Sequence, residues 1–351
     1  MAKIYLVRHG RTTSRWGMEK DPGLDELGRA QAKAAARRLA SLGPHPIITS
    51  PLKRTRETSA PLAEIRNTLI MPHDTTILLG GLLFPEGPRW HDDKLWFSDM
   101  QGLHVMTVDL AGNSEKVVKV KGSPSGLGWL PDGRLLVVSM VDRRLLRLDR
   151  IGLVEIADLR KLASFHCNDM VVDKQGRAYI GNFGFDLAAQ APLKPAEIVL
   201  VTPDGDMRVV AEELLFPNGT VITPDGRTLI VAETWGNCLT AFDINPDGSL
   251  RNRRAWAKFE KLYPDGICLD AEGAIWVAAP FPGELVRVRK GGNITHRLKV
   301  SSSPYACMLG GPDRRTLFVC TAQSHDPDEA RLKPGGKIET VEVEIPGAGF
   351  P

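Results

Sequence analysis

The feature that most constrains this chain is a phrase that returns six times: a short apolar strand, a tight polar turn and a second apolar strand. Its fullest form runs from Tyr263-Pro264-Asp265-Gly266 through the turn Asp270-Ala271-Glu272-Gly273 to Ile275-Trp276-Val277-Ala278. Aligned on the residue after the turn, the copies fall at Lys94, Arg134, Arg177, Arg227, Ala274 and Arg315, at intervals of 40, 43, 50, 47 and 41 residues. A further strand pattern trails each copy, as in LHVMTVDL from Leu103 or LVRVRKGG from Leu285. A period of roughly 40–50 residues with several short strands per unit points to one propeller blade per repeat. Six copies in phase predict an all-β six-bladed β-propeller over residues 75–351.

The repeat also locates a site. Eight to ten residues before each alignment point stand Glu86, Ser125, Asn168, Asn218, Asp265 and Tyr305. The first strand of every blade lines a propeller's central channel, so these six are expected to ring one mouth. Four of them are oxygen donors of low total charge. That donor set suits a hard divalent cation, Ca²⁺ first, with Mg²⁺, Mn²⁺ or Zn²⁺ as other occupants. Asp-Gly and Asn-Gly pairs are also ordinary turn formers, which leaves a turn reading open at any one position.

Composition adds a division. Residues 1–66 hold 13 basic and 6 acidic side chains, while the remainder is slightly acidic; the whole chain carries only +3. That total supports neither nucleic acid nor membrane as a partner. The five cysteines are odd in number and show no CxxC spacing, so buried thiols are expected. With no leader-like or bilayer-length apolar run, a cytoplasmic location is expected. Residues 67–74 read as linker. Thr75–Leu79 has strand character and precedes the first repeat, so it is expected to complete the last blade and close the ring.

Residues 1–66 read as a small α/β fragment in the order strand, helix, strand, helix, with strands near Lys3–Val7 and Pro46–Ser50. The words LVRHGRT, LDELGRAQA and TSPLKRTRET resemble the opening of the histidine phosphatase superfamily. That resemblance implies His9 as phosphoryl acceptor and Arg8 and Arg54 as phosphate binders. A second His and an acidic proton donor have no counterpart after Ile65, so the expectation is a truncated, inactive remnant fused to the propeller. Its open sheet edges invite self-association.

FPEGPRW from Phe84, HCNDMVVDKQGRAYIGN from His166, FPNGTVITPDGRTLIVAE from Phe216 and YPDGICLDAEGAIWVA from Tyr263 resemble the SMP-30/gluconolactonase family. The resemblance implies a calcium-dependent lactonase or esterase. Its metal ligands would be Glu86, Asn218 and Asp265, with Asn168 as a fourth ligand or a substrate and water contact. Asp265 would also activate water, and the substrate would be a small lactone or ester. His166 stands where sugar-lactone members often carry Arg; it is either a substrate contact or a packed histidine. Asp186, Trp235 and Tyr305 are further substrate-binding candidates. Phe84, Phe183, Phe185 and Phe281 either face the mouth or pack between blades. These features leave room for less polar lactones, aryl esters or phosphotriesters. A non-catalytic propeller binding a protein partner is the remaining alternative.

Overall fold

A computed structural model describes residues 7–14, 21–39, 47–49, 52–66, 70–72 and 75–349. Two compact units divide the chain: Met1–Asp74 with Thr295–Lys299, and Thr75–Ile294 with Val300–Pro351.

The larger unit is a six-bladed β-propeller, as the repeat predicts. The first blade runs outward through Pro85–His91, Lys94–Asp99, His104–Val108 and Ser114–Lys119. The innermost strands of the next five are Pro124–Trp129, Cys167–Val172, Pro217–Ile222, Ile267–Leu269 and Ser303–Gly310. Both faces of a blade are covered by its neighbours, so the second strands are apolar on both sides rather than alternating. Val137 with Val138, Val231 with Ala232, and Val277 with Ala278 are all fully buried. The main clusters lie between blades, one joining Leu136 and Val138 to Met170 and Ile180, another joining Ile230 to Ile275 and Val286.

Closure follows the expected route. Thr76–Leu82 pairs antiparallel with Gly336–Glu342, Ile77 opposite Glu339, and supplies the outer strand of the sixth blade. The wholly buried carboxylate of Glu339 fastens this seam. It accepts hydrogen bonds from the Ser301 amide at 3.2 Å, the Ser301 hydroxyl at 2.6 Å, the Thr321 hydroxyl at 2.8 Å and the Thr75 hydroxyl. Residues 346–349 cross the far ends of the inner strands, where the Ala348 amide donates to the Leu269 carbonyl at 2.9 Å.

Within the smaller unit, helices Glu26–Leu39 and Lys53–Arg66 pack together, and Ile47–Thr49 pairs in parallel with Ile70–Pro72. The latter strand falls in the stretch that reads as linker. The strand expected at Lys3–Val7 lies outside the described residues except for Val7, which is not in a strand. No helix among the described residues is long and apolar enough to cross a membrane.

Candidate functional site

The ring residues gain their aim from the way each inner strand begins. Pairing between the inner and second strands slips at Glu86–Arg89, Pro124–Leu127, Cys167–Met170, Pro217–Thr220 and Pro304–Ala306. Five of six ring positions therefore sit at or within a β-bulge, the device that turns a side chain out of its regular alternation. In the fifth blade the strand starts only at Ile267, just after Asp265.

A glycine follows four ring residues, and these glycines are not turn residues. They mark where neighbouring inner strands touch. A Cβ on Gly219 would lie 2.5 Å from the Ile267 amide nitrogen and 2.6 Å from the Asp265 carbonyl oxygen; one on Gly266 would meet Ala306 Cα at 2.6 Å. The Gly219 amide donates to the Asp265 carbonyl at 3.2 Å, and the Gly266 amide to Tyr305 at 2.7 Å. The third blade has Asp169 in place of glycine. Its buried carboxylate accepts from Arg89 of the first blade at 2.8 Å, and the same guanidinium nitrogen reaches the Met170 carbonyl at 2.5 Å.

A second device fixes the approach to three ring residues. The Asp99 carboxylate accepts from the amides of Leu83 at 3.1 Å and Phe84 at 2.8 Å, ahead of Glu86. Glu233 accepts from Leu215 at 2.8 Å, ahead of Asn218, and the Asn182 side chain accepts from Phe165 at 3.4 Å, ahead of Asn168. Each clamp closes the second strand of the blade whose ring residue it positions.

The ring's polar ends are then set one by one. The Asn218 amide nitrogen donates to the Thr234 hydroxyl at 3.2 Å, and that hydroxyl donates to the Pro264 carbonyl at 2.8 Å, tying the fourth blade to the residue before Asp265. Asn218 also hydrogen-bonds the Asp265 carboxylate. The Asn168 amide nitrogen points to the Pro217 carbonyl at 3.5 Å. The Asn168 nitrogen thus faces the neighbouring blade, while that of Asn218 faces Thr234 of its own. Asn168, Asn218 and Asp265 are all buried. Burial, reinforced by the negative charge of Asp169, pushes Glu86 up to about 8. Burial, then the charges of Glu86 and Asp169, raises Asp265 well above the usual carboxylate range. Neither carboxylate has an ion-pair partner among the described residues.

Two repelling carboxylates with two amide oxygens make a donor set that fits a hard divalent cation. Among the described residues no three His, Cys, Asp or Glu side chains gather as ligands, so the amides have to take part in any such site.

The other expected residues fall around this ring. Tyr305 is buried, packs edge-on against Phe84 at 4.6 Å, and has its phenol pushed up to about 12 by burial and the nearby carboxylates. His166 stacks on Phe165 at 4.2 Å and is half-buried, which lowers its proton affinity. Asp186 accepts from the Ala189 amide at 2.9 Å and so caps its own loop. Trp235 lies 5.6 Å from Tyr263 and 6.5 Å from Phe216, and Phe216 stacks on Phe183 at 4.5 Å. Phe281 joins the series through Tyr263 at 6.3 Å.

Sequence reasoning missed Arg89, Asp99, Asp169, Thr234 and the clamps. Only Asp169 left a trace, as the acidic neighbour of Asn168 at the place where the other oxygen residues have glycine. In the smaller unit, Arg8 is exposed, the Nδ1 of His9 lies 2.8 Å from the Gly10 carbonyl, and Arg54 pairs with Asp21 at 3.4 Å.

Residues 84–323 match the model of the SMP-30/Gluconolactonase/LRE-like region. The chain belongs to the SMP-30/gluconolactonase/LRE-like family. Among its family relatives, a regucalcin from Gallus gallus is 26% identical over 247 residues, 68% of this chain and 82% of the relative. A pentonolactonase from Haloferax volcanii is 25% identical over 291 residues, 78% and 94% of the two chains. The solved structure of a calcium-binding regucalcin from Agrobacterium tumefaciens superposes with a TM-score of 0.69 at 24% identity, covering 81% of this chain and 98% of that one. It shows the shared SMP-30-type fold. Residues 4–76 match a separate model, the histidine phosphatase superfamily (branch 1).

Proposed function

We propose that this chain is a metal-dependent hydrolase that opens lactones or related esters at the mouth of the propeller channel. The observation that carries the reading is the carboxylate pair Glu86 and Asp265, the charge of Glu86 raising the proton affinity of the buried Asp265, beside the amides Asn168 and Asn218 at the equivalent positions of their blades. Glu86, Asn218 and Asp265, with Asn168, would hold one divalent cation, Ca²⁺ by choice of donors and by analogy with the calcium-binding relative. When bound, the ion supplies Lewis-acid polarisation of the substrate carbonyl and a fixed place for developing negative charge.

The chain's own part is positioning and proton transfer. A water oxygen attacks the carbonyl carbon while its proton passes to the Asp265 carboxylate. The ring C–O bond then breaks, and the proton returns from Asp265 to the departing alkoxide. Asp265 takes this part because it is the buried carboxylate of the ring, held beside Asn218 and ready to receive and return one proton. Asn168 orients substrate or water, and Thr234 holds Asn218 against Asp265. The names of the pentonolactonase and gluconolactonase relatives support the lactone class. A purely protein-binding propeller leaves the paired carboxylates Glu86 and Asp265 without a role. The smaller unit contributes no phosphatase activity in this reading, since a second His and an acidic proton donor have no counterpart after Ile65.

The test is hydrolysis of an aldonolactone, an aliphatic lactone, an aryl ester and a phosphotriester, with metal content measured on the same samples. Turnover and bound metal are expected to disappear together on chelation, and turnover in Asp265→Ala, while His9→Ala keeps both. Absence of turnover with every substrate, from protein that retains no divalent metal, would sink the proposal.

A further inference from the structure

The residue two places before each oxygen residue of the ring is aromatic: Phe84, His166, Phe216 and Tyr263. Each stands on the approach to its inner strand, so together they form a second tier above the oxygen ring. Their ring contacts make the tier continuous through Phe183 and Trp235. Phe183 also packs against the buried cluster of Phe84, Met100, Met140 and Tyr305, which joins blades one, two and six. Residues that only glue blades together are buried. Trp235 is 36% exposed and Phe281 52% exposed, at the outer end of the same series.

The polar inventory of this tier is sparse. Asp186 accepts from the Ala189 amide through one oxygen, and His166 is half-buried, stacked on Phe165 and edge-on to Phe183; the Tyr263 hydroxyl and the Trp235 indole N–H are the tier's remaining polar ends. A ring bearing several hydroxyls would lose water here and find few partners, which is costly. An aryl or alkyl group would instead bury its surface against aromatic faces and edges.

We propose that this aromatic tier sets the substrate class: a lactone or ester bearing an aryl or alkyl substituent, not a polyhydroxylated sugar lactone. The inference rests on the hydrolase reading above. Trp235 and Phe281 are its specificity-determining residues, and they act through binding of the substituent.

The experiment compares kcat/KM for dihydrocoumarin, δ-valerolactone and glucono-δ-lactone in wild type, Trp235→Ala and Phe281→Ala. Calorimetric binding of 1-tetralone, an aryl ketone that cannot be hydrolysed, is measured alongside. The wild type is expected to favour dihydrocoumarin over the sugar lactone by about a hundredfold or more. Each variant is expected to lower the dihydrocoumarin-to-valerolactone ratio about tenfold and to weaken tetralone binding in parallel. Preference for the sugar lactone, or an unchanged ratio in both variants, would overturn the inference. So would absence of tetralone binding at millimolar concentration. Tetralone binding that weakens in both variants, with no lactone turned over, upholds the tier and removes the lactonase reading beneath it.

Discussion

Arg89 and Asp169 are the residues on which the ring rests. Their ion pair joins the first and third blades, and both side chains are buried. Removing Arg89 alone leaves a carboxylate buried without its cation, next to two others. Arg89→Met is therefore expected to cost about 3–5 kcal/mol of stability, while Arg89→Met with Asp169→Leu recovers most of it. Urea midpoints of the single and double variants check this. A double variant no more stable than the single one would show that the charge pair is not what matters. The contrast with Glu86 and Asp265 explains what the sequence made legible. Those two declare themselves by type and by recurrence at equivalent repeat positions. The partner of Asp169 lies 80 residues away, and no periodicity relates the two.

Among the elements, the inner strands are set by backbone contact and the outer ones by exposure. Gly219 and Gly266 allow adjacent inner strands to meet. Gly219→Ala is expected to cost about 1–3 kcal/mol and to shift Asp265, whose carbonyl the new Cβ would strike. Gly80, in the closing strand, has open space around its Cα and no positive φ; Gly80→Ala is expected to be neutral or to stabilise by up to about 1 kcal/mol. Thermal midpoints of both variants give the comparison, and equal losses would contradict it. The second and third strands of each blade were readable because burial on both faces makes them apolar runs. The fourth strands, such as Ser114–Lys119 and Met207–Leu214, are half in water and rich in charge, so their pattern resembles loop. The helix Pro327–Leu332, capped by Asp326, interrupts the sixth blade and has no counterpart in the repeat. The glycines were visible as letters but ambiguous in meaning, because a turn and a close approach select the same residue.

For the whole molecule the decisive feature is the seam at Glu339. Burial opposes the charge of this carboxyl, but hydrogen bonds from Ser301, Thr75 and Thr321 outweigh it and hold the group below its ordinary value of 4.5. Stability from such a shift is complete above 4.5 and is lost as pH falls through the lower folded value. Glu339→Gln is thus expected to destabilise by about 1–3 kcal/mol at neutral pH, with the gap to wild type closing on acidification. Denaturant midpoints at pH 7 and pH 3.5 report the difference; a gap that widens in acid would refute the assignment. A chain beginning at Thr75 is expected to remain folded, while one beginning at Leu83 aggregates through the bared edge of Gly336–Glu342. Size-exclusion profiles of the two distinguish these outcomes.

The same seam sets a schedule during synthesis. Ile77 leaves the ribosome among the earliest propeller residues, yet the strand it pairs with follows more than 250 residues later. At ordinary elongation rates that is a wait of roughly 15–50 seconds. Throughout it the nascent chain carries an orphan strand, and five blades can assemble before the circle has anything to close upon. The last blade to be translated is therefore the one that decides whether the first segment ever finds its place.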